Sequence, residues 1–223
     1  SIISPSSDSI SASLSSIRTN FNLSLTEPRL FDSEISAGVD AFNQRQNYLS
    51  FDTKTSGTGF RLGKNITEYE SLSLGYRFEN VEVTGVAAAN VTDIFKNETR
   101  TTSRLSPTYV YDSRDNFLNP SKGWRHVVGF EFAGLGGAKF TRSNFETTYY
   151  HPLIGKLVGA AHARVNFAEG YGGETLPSFE RYFMGGPTSL RGFTIQNIGP
   201  KDTSGNPVGG SKALILNLET QYP

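Results

Sequence analysis

Apolar and polar residues alternate along most of this chain. Between Glu70 and Glu79, Leu72, Leu74, Tyr76 and Phe78 fall on one face, and Ser71, Ser73, Gly75, Arg77 and Glu79 on the other. A period of two is that of a β-strand, whose successive side chains point to opposite sides. The same alternation sets Phe21, Leu23 and Leu25 against Asn22, Ser24 and Thr26. It sets Trp124, His126, Val128, Phe130 and Phe132 against Arg125, Val127, Gly129 and Glu131. Two further segments, 157–167 and 213–222, follow it imperfectly, because Val158, Ala160 and Ile215 place apolar groups on the polar side.

The pattern predicts about ten strands, at 9–18, 19–27, 34–44, 48–62, 68–84, 100–112, 123–134, 139–151, 156–169 and 211–222. Turn signals separate them, such as Glu27-Pro28, Asn119-Pro120-Ser121-Lys122-Gly123 and His151-Pro152-Leu153-Ile154-Gly155. No segment carries a convincing helical period; residues 90–97 read as a loop with room for one helical turn. Strands of ten or more residues are long against a usual five or six. Charges recur on the polar side (Arg77, Glu79, Arg125, Glu131, Arg142, Glu146, Arg164, Glu219), as in a wet barrel interior. Aromatics gather at strand ends (Tyr69, Trp124, Tyr149, Tyr150, Phe167, Tyr171, Tyr222), as in interfacial girdles. The pattern favours an all-β, antiparallel transmembrane barrel and leaves open a soluble β-sandwich or lipocalin-like barrel. In the membrane reading Leu72, Leu74, Tyr76, Phe78, Val128, Phe130, Phe132, Leu214, Leu216 and Leu218 face lipid. Residues 1–223 read as one partial barrel domain with one long connection, at about 172–210.

Composition narrows the function. Basic and acidic side chains balance at 21 each, which argues against nucleic acid as a partner. There is no cysteine, hence no disulfide and no thiolate site, and three histidines make a metal centre an unpromising expectation. No cofactor is implied. No apolar run reaches the 18 or so residues of a membrane helix, but a barrel strand needs only about 9–11 alternating residues. The chain opens without a charged-then-apolar leader and reads as a mature or cut segment.

Few side-chain sets offer chemistry. Gly185, Gly186 and Gly192 do not join a strand to a helix, so they are no phosphate loop. Ser189 lacks the flanking glycines of a nucleophile elbow. Asp112 and Asp115 flank Arg114 and read as a turn held by Asp side chains and an ion pair. Arg191 lies in the long connection and Glu219 on the polar face of the strand after it. A charge-assisted pair between them would pin the connection inside a lumen of reduced dielectric. The plain alternative is a solvated arginine at a loop tip.

Several segments in order carry a resemblance. They are Phe21 to Phe31 with its Thr-Glu-Pro; Asp112-Ser113-Arg114-Asp115 followed by Pro120 and Gly123; Gly170-Tyr171-Gly172; Leu176 to Gly186; Leu190-Arg191-Gly192-Phe193; and Gly209-Gly210 leading to Asn217-Leu218-Glu219. Together they resemble the outer-membrane assembly barrels, the BamA-type family, over nearly the whole chain. The resemblance implies about ten strands of a sixteen-strand barrel, the first here resembling the family's third and the last its twelfth. It implies that Gly185, Gly186, Leu190, Arg191, Gly192 and Phe193 form a loop that enters the lumen, and that Glu219 is one acid partner of Arg191. It implies no enzyme. The activity is folding and inserting other β-barrels into the outer membrane of a Gram-negative bacterium. The partners are the bilayer, unfolded barrel clients and accessory lipoproteins, the last through POTRA repeats that this chain does not contain. A two-partner-secretion or translocation barrel of the same superfamily is the nearest alternative. A porin or an outer-membrane lipid hydrolase is the alternative of another class.

Overall fold

The computed structural model describes residues 7–14, 18–86, 95–186 and 189–222. Ten strands follow one another: β1 (Ser7–Leu14), β2 (Arg18–Glu27), β3 (Ile35–Asn47), β4 (Asp52–Asn65), β5 (Glu70–Thr84), β6 (Glu98–Asp112), β7 (Gly123–Gly137), β8 (Phe140–Pro152), β9 (Val158–Gly170) and β10 (Lys212–Gln221). Each pairs antiparallel with the next, in one sheet ordered β1 to β10. The all-β, sequentially paired architecture expected from the period of two is the one observed. Some boundaries move. The strand expected from residue 48 begins at Asp52, because the Tyr48 N–H bonds to the Phe51 carbonyl and closes a turn first. Residues 15–17 of the expected first strand, and most of the loop at 90–97, lie outside the described residues.

Register carries one polar face across the sheet, since directly paired residues project to the same side. Asp40 pairs with Gly59, Gly59 with Arg77, and Arg77 with Arg104. Glu131 pairs with Arg142, and Glu146 with Arg164. Ion pairs lace this face: Arg61 Nε lies 2.7 Å from Asp40 Oδ2, and Arg164 Nη2 2.7 Å from Glu146 Oε2. The opposite face carries the ten apolar side chains expected to meet lipid, and all ten are exposed. Its end nearest the short turns bears a row of rings, Tyr69, Tyr111, His126, Trp124, Tyr149 and His151, with neighbouring centroids 4.2–6.4 Å apart, stacked from Tyr111 onward.

Connections alternate between the two ends. Short turns at 28–34, 66–69, 113–122 and 153–157 share one end; the long connection at 171–211 and the turn at 48–51 share the other. At the long-connection end the polar face of β5 turns apolar, from Arg77 and Glu79 to Val81 and Val83. Those valines are buried with Phe51, Val86 and Phe95, against Phe179, Phe183 and Val208 of the connection. A second cluster buries Ala133, Ala138, Phe140, Ala168 and Leu176. Val158 and Ile215, the misfits of the sequence pattern, are both buried. Between β6 and β7 the register jumps, Thr102 pairing with Gly137 and Arg104 with Ala133. The extra residues of β7 are accommodated by Gly137, at φ +82°, where a Cβ would lie 1.9 Å from the Thr101 carbonyl oxygen.

Candidate functional site: a long loop clamped to the polar face

The described residues of the connection at 171–211 form a ribbon tied back on itself. Tyr182 and Gly210 exchange two backbone hydrogen bonds of 2.8 and 2.9 Å. Met184 bridges to Ile198, Gly186 to Leu190, and Lys201 to Pro207. Gly185 sits at φ +111°, and a Cβ there would lie 2.2 Å from the Thr194 carbonyl oxygen, so only glycine fits the fold-back. Asp202 closes the outer turn, accepting 2.8 Å bonds from the Ser204 and Asn206 N–H groups. These bonds, the Asn206 N–H foremost, hold its carboxyl below the usual range.

One turn of 3₁₀-helix, Ser178–Glu180, drops the connection onto the sheet. Glu180 is 3% exposed. Arg104 Nη2 donates to Glu180 Oε1 at 2.7 Å, and Arg142 Nη1 donates to Glu180 Oε2 at 2.9 Å. Arg104 also donates to Glu79, and through Nη1 to Glu131 Oε2 at 3.0 Å. One planar guanidinium thus grips strands β5 and β7 and the connection together, which lysine cannot do. The Arg142 guanidinium lies 5.1 Å over the Tyr182 ring, adding a second contact from the connection. Glu79 crosses close to β4, where a Cβ on Gly57 would come within 2.8 Å of Glu79 Cβ. Outlying ties complete the docking: Arg100 Nη2 lies 2.6 Å from Glu174 Oε2, and the Ser50 hydroxyl donates to the Pro207 carbonyl at 2.8 Å.

The Leu-Arg-Gly-Phe tip sits differently from the sequence expectation. Leu190 is half-buried, and Gly192 adopts φ +84° with nothing within 4 Å of a Cβ. Arg191 Nη1 does lie 3.7 Å from Glu219 Oε1, but the two side chains are 79% and 44% exposed. Arg191 and Glu219 thus meet loosely with both side chains largely exposed, and the buried grip is at Glu180. Sequence reading placed Glu79, Glu131 and Arg142 on the polar face but missed Arg104 and the role of Glu180. The available signal was a lone charge among hydroxyl residues, Thr102-Ser103-Arg104-Leu105-Ser106.

The turn at 113–122 is built as a cage. Arg114 donates to Asp112 through Nε at 2.8 Å and Nη2 at 2.6 Å. Asp115 Oδ1 accepts from the N–H groups of Asn116, Ser121 and Lys122 at 3.1, 2.9 and 3.1 Å, and Oδ2 accepts from the Ser121 hydroxyl. The Ser121 hydroxyl first, then these N–H groups, holds the Asp115 carboxyl far below the usual carboxylate range. Pro120 is buried, and Gly123, at φ +114°, leaves no room for a Cβ, which would lie 2.4 Å from the Ser113 carbonyl oxygen. Among the described residues no group of His, Asp and Glu is arranged to hold a metal ion.

Comparison with known proteins agrees with this architecture. The family model of the Omp85 superfamily domain matches residues 5–223. The outer membrane protein assembly factor BamA of Nitratidesulfovibrio vulgaris is 30% identical over 216 residues, covering 95% of this chain and 27% of that protein. BamA of Neisseria meningitidis is 28% identical over 243 residues, covering 97% of this chain and 30% of that protein. The sorting and assembly machinery component 50 homolog of Homo sapiens is 34% identical over 125 residues, covering 54% of this chain and 26% of that protein. The crystal structure of BamA from Haemophilus ducreyi lacking POTRA domains 1–3 superposes with a TM-score of 0.86 at 23% identity, over 98% of this chain and 47% of that one. The chain thus spans less than a third of the length of these BamA relatives.

Proposed function

Because this chain belongs to the Omp85 superfamily, and so forms wall strands of an outer-membrane β-barrel, we propose that the protein folds and inserts other β-barrel proteins into the outer membrane. One observation carries the reading: a long connection is clamped to the polar face through the buried Glu180. A charged ribbon gripped in a lumen can narrow a pore and set its selectivity; in this reading it keeps the lumen sealed while the wall opens for a client. The relatives are named assembly factors, and the reading needs no covalent step.

Residues 1–223 act in this reading as one part of a barrel domain, with 171–211 as its lumen loop. The loop tip, Gly185, Gly186, Leu190, Arg191, Gly192 and Phe193, touches the wall at Glu219, while Glu180, Arg104 and Arg142 hold its base. The turn set Asp112, Arg114, Asp115, Pro120 and Gly123 fixes the opposite rim. Client strands pair with a wall edge opened elsewhere in the full barrel, where unpaired N–H and C=O groups serve as template. Partners are the bilayer, unfolded barrel clients and accessory lipoproteins. BamA relatives match 95% and 97% of the chain against 54% for the component 50 homolog, which favours the outer membrane of a Gram-negative bacterium.

The test uses the full-length protein in phosphatidylcholine vesicles with an unfolded barrel client, following client folding by heat-modifiable gel mobility. Glu180→Gln is expected to slow client folding while the assembly barrel itself stays folded. Wild-type rates in a folded Glu180→Gln barrel would sink the role given to the clamp. No acceleration by the wild-type protein over empty vesicles would sink the function.

A further inference from the structure

The short-turn end carries a feature the assembly reading does not use. Each of its four turns holds at least one large apolar side chain out in the open. Phe31 is 93% exposed on the turn at 28–34, and Ile66 is 55% exposed on the turn at 66–69. Phe117 and Leu118 are 76% and 90% exposed on the turn at 113–122, and Ile154 is 83% exposed on the turn at 153–157. A turn in water has no use for such residues, and turn chemistry favours Gly, Asn, Asp, Ser and Pro there. Two of the tips are rigidly presented. Asn116 Oδ1 accepts from the Leu118 and Asn119 N–H groups at 2.9 and 3.0 Å, and the Asp115 cage closes the same turn from below. Phe31 is held at φ +53°, a conformation a bulky residue rarely adopts. Backbone order is thus spent on keeping these groups outside.

Part of this rim continues the lipid-facing wall. The row of rings from Tyr69 to His151 runs along it. Leu153, on the last of the four turns, folds back over the outward face of β9, where a Cβ on Gly159 would meet its Cδ1 at 3.3 Å. Gly159 pairs with His151 and Thr220, both on the lipid-facing side. Arg29, Lys122 and Lys156 occupy the same turns as the apolar tips, while the Arg114 guanidinium, bonded to Asp112 on the polar face, lies 5.1 Å over the Phe117 ring and holds that ring toward the polar side. Apolar tips with aromatic neighbours and nearby Lys or Arg are the makings of a bilayer interface contact.

We propose that Phe31, Ile66, Leu118 and Ile154 form an apolar collar that sits among the phospholipid headgroups, extending the lipid contact of the wall beyond its aromatic row. The occupant is a phospholipid surface because the collar joins a surface that already faces lipid. Short turns of outer-membrane-type barrels face the periplasm, so the leaflet engaged is the periplasmic one. The collar would fix how deep the wall sits at that rim.

The experiment places an NBD fluorophore on a single cysteine at Leu118→Cys, or separately at Ile154→Cys, in the full-length protein reconstituted in phosphatidylethanolamine–phosphatidylglycerol vesicles. Leu72→Cys serves as the lipid-facing reference, and heat-modifiable mobility confirms folding. The expected result is a blue-shifted emission at both tips, quenched by a doxyl group near the headgroup more than by one deep in the acyl chain, and protected from aqueous iodide. Efficient iodide quenching without doxyl quenching would put the tips in water and overturn the collar. Protection from both quenchers would mean protein covers them, and would overturn it equally.

Discussion

Removing Arg104 should cost the barrel more than removing the charge of Glu180, and the order follows from the partners each one holds in the clamp. Arg77, Arg104 and Arg142 face Glu79, Glu131 and Glu180, three positive and three negative groups. Arg104→Met takes a direct partner from all three acids, with Glu79 and Glu180 both still buried. Glu180→Gln takes a partner only from Arg104 and Arg142, which both keep Glu131, and its amide still accepts one hydrogen bond. Breaking a dry buried pair by deleting one partner costs ~3–5 kcal/mol. A polar cavity of about 180 Å³, lined in part by Arg77, Glu79, Arg104, Arg142 and Glu180, borders the cluster and admits water. The lower end therefore applies, ~3 kcal/mol for Arg104→Met, or about a hundredfold in the folding equilibrium. Glu180→Gln should cost ~1–2 kcal/mol, the scale of weakened hydrogen bonds to charged groups. The assay is urea unfolding of the full-length barrel in vesicles, read by gel mobility, with protease cutting at Lys201 reporting release of the loop. A cost for Glu180→Gln equal to or above that of Arg104→Met would refute this ordering of partners.

Three further outcomes are expected. Gly57→Ala should destabilise the β4–β5 pairing by ~1–3 kcal/mol, seen as a lower urea midpoint, because its Cβ would lie 2.4 Å from the Phe78 carbonyl oxygen. A double-mutant cycle on Arg191→Ala and Glu219→Gln should give a coupling of ~0–1 kcal/mol that fades with salt, since both side chains are largely exposed; a salt-insensitive coupling well above that range would show the pair to be buried in the full barrel. The depressed Asp115 carboxyl stabilises its turn above the ordinary carboxylate range and loses that contribution only as pH falls through the lowered folded value. Amide exchange at Ser121 and Lys122 should therefore stay slow at pH 4, while Asp115→Asn should speed it at all pH; loosening that sets in near pH 5 in the wild type would contradict the assignment.

Strand number, strand faces and the place of the long connection were legible in the sequence because they are local. Leu72 to Phe78 show their face through a repeat of two residues, and Asn119-Pro120 with Gly123 marks a turn within a few residues. The turn set at Asp112, Arg114 and Asp115 was readable for the same reason, its bonds spanning one to seven positions. What only the tertiary structure decided is which polar groups meet. Arg104 and Glu180 stand 76 positions apart, and their contact depends on the register of three hairpins, on the glycines that let β7 bulge, and on a 3₁₀ turn dropping inward. The exposed tip drew attention by its motif, yet a motif says nothing of burial. Likewise Val158, Ala160 and Ile215 looked misplaced on a wet face; Val158 and Ile215 are buried, and on the polar face of β5 Val81 and Val83 are where the returning loop packs. Alternation along a strand determines which way a side chain points; what waits for it there depends on chain far away.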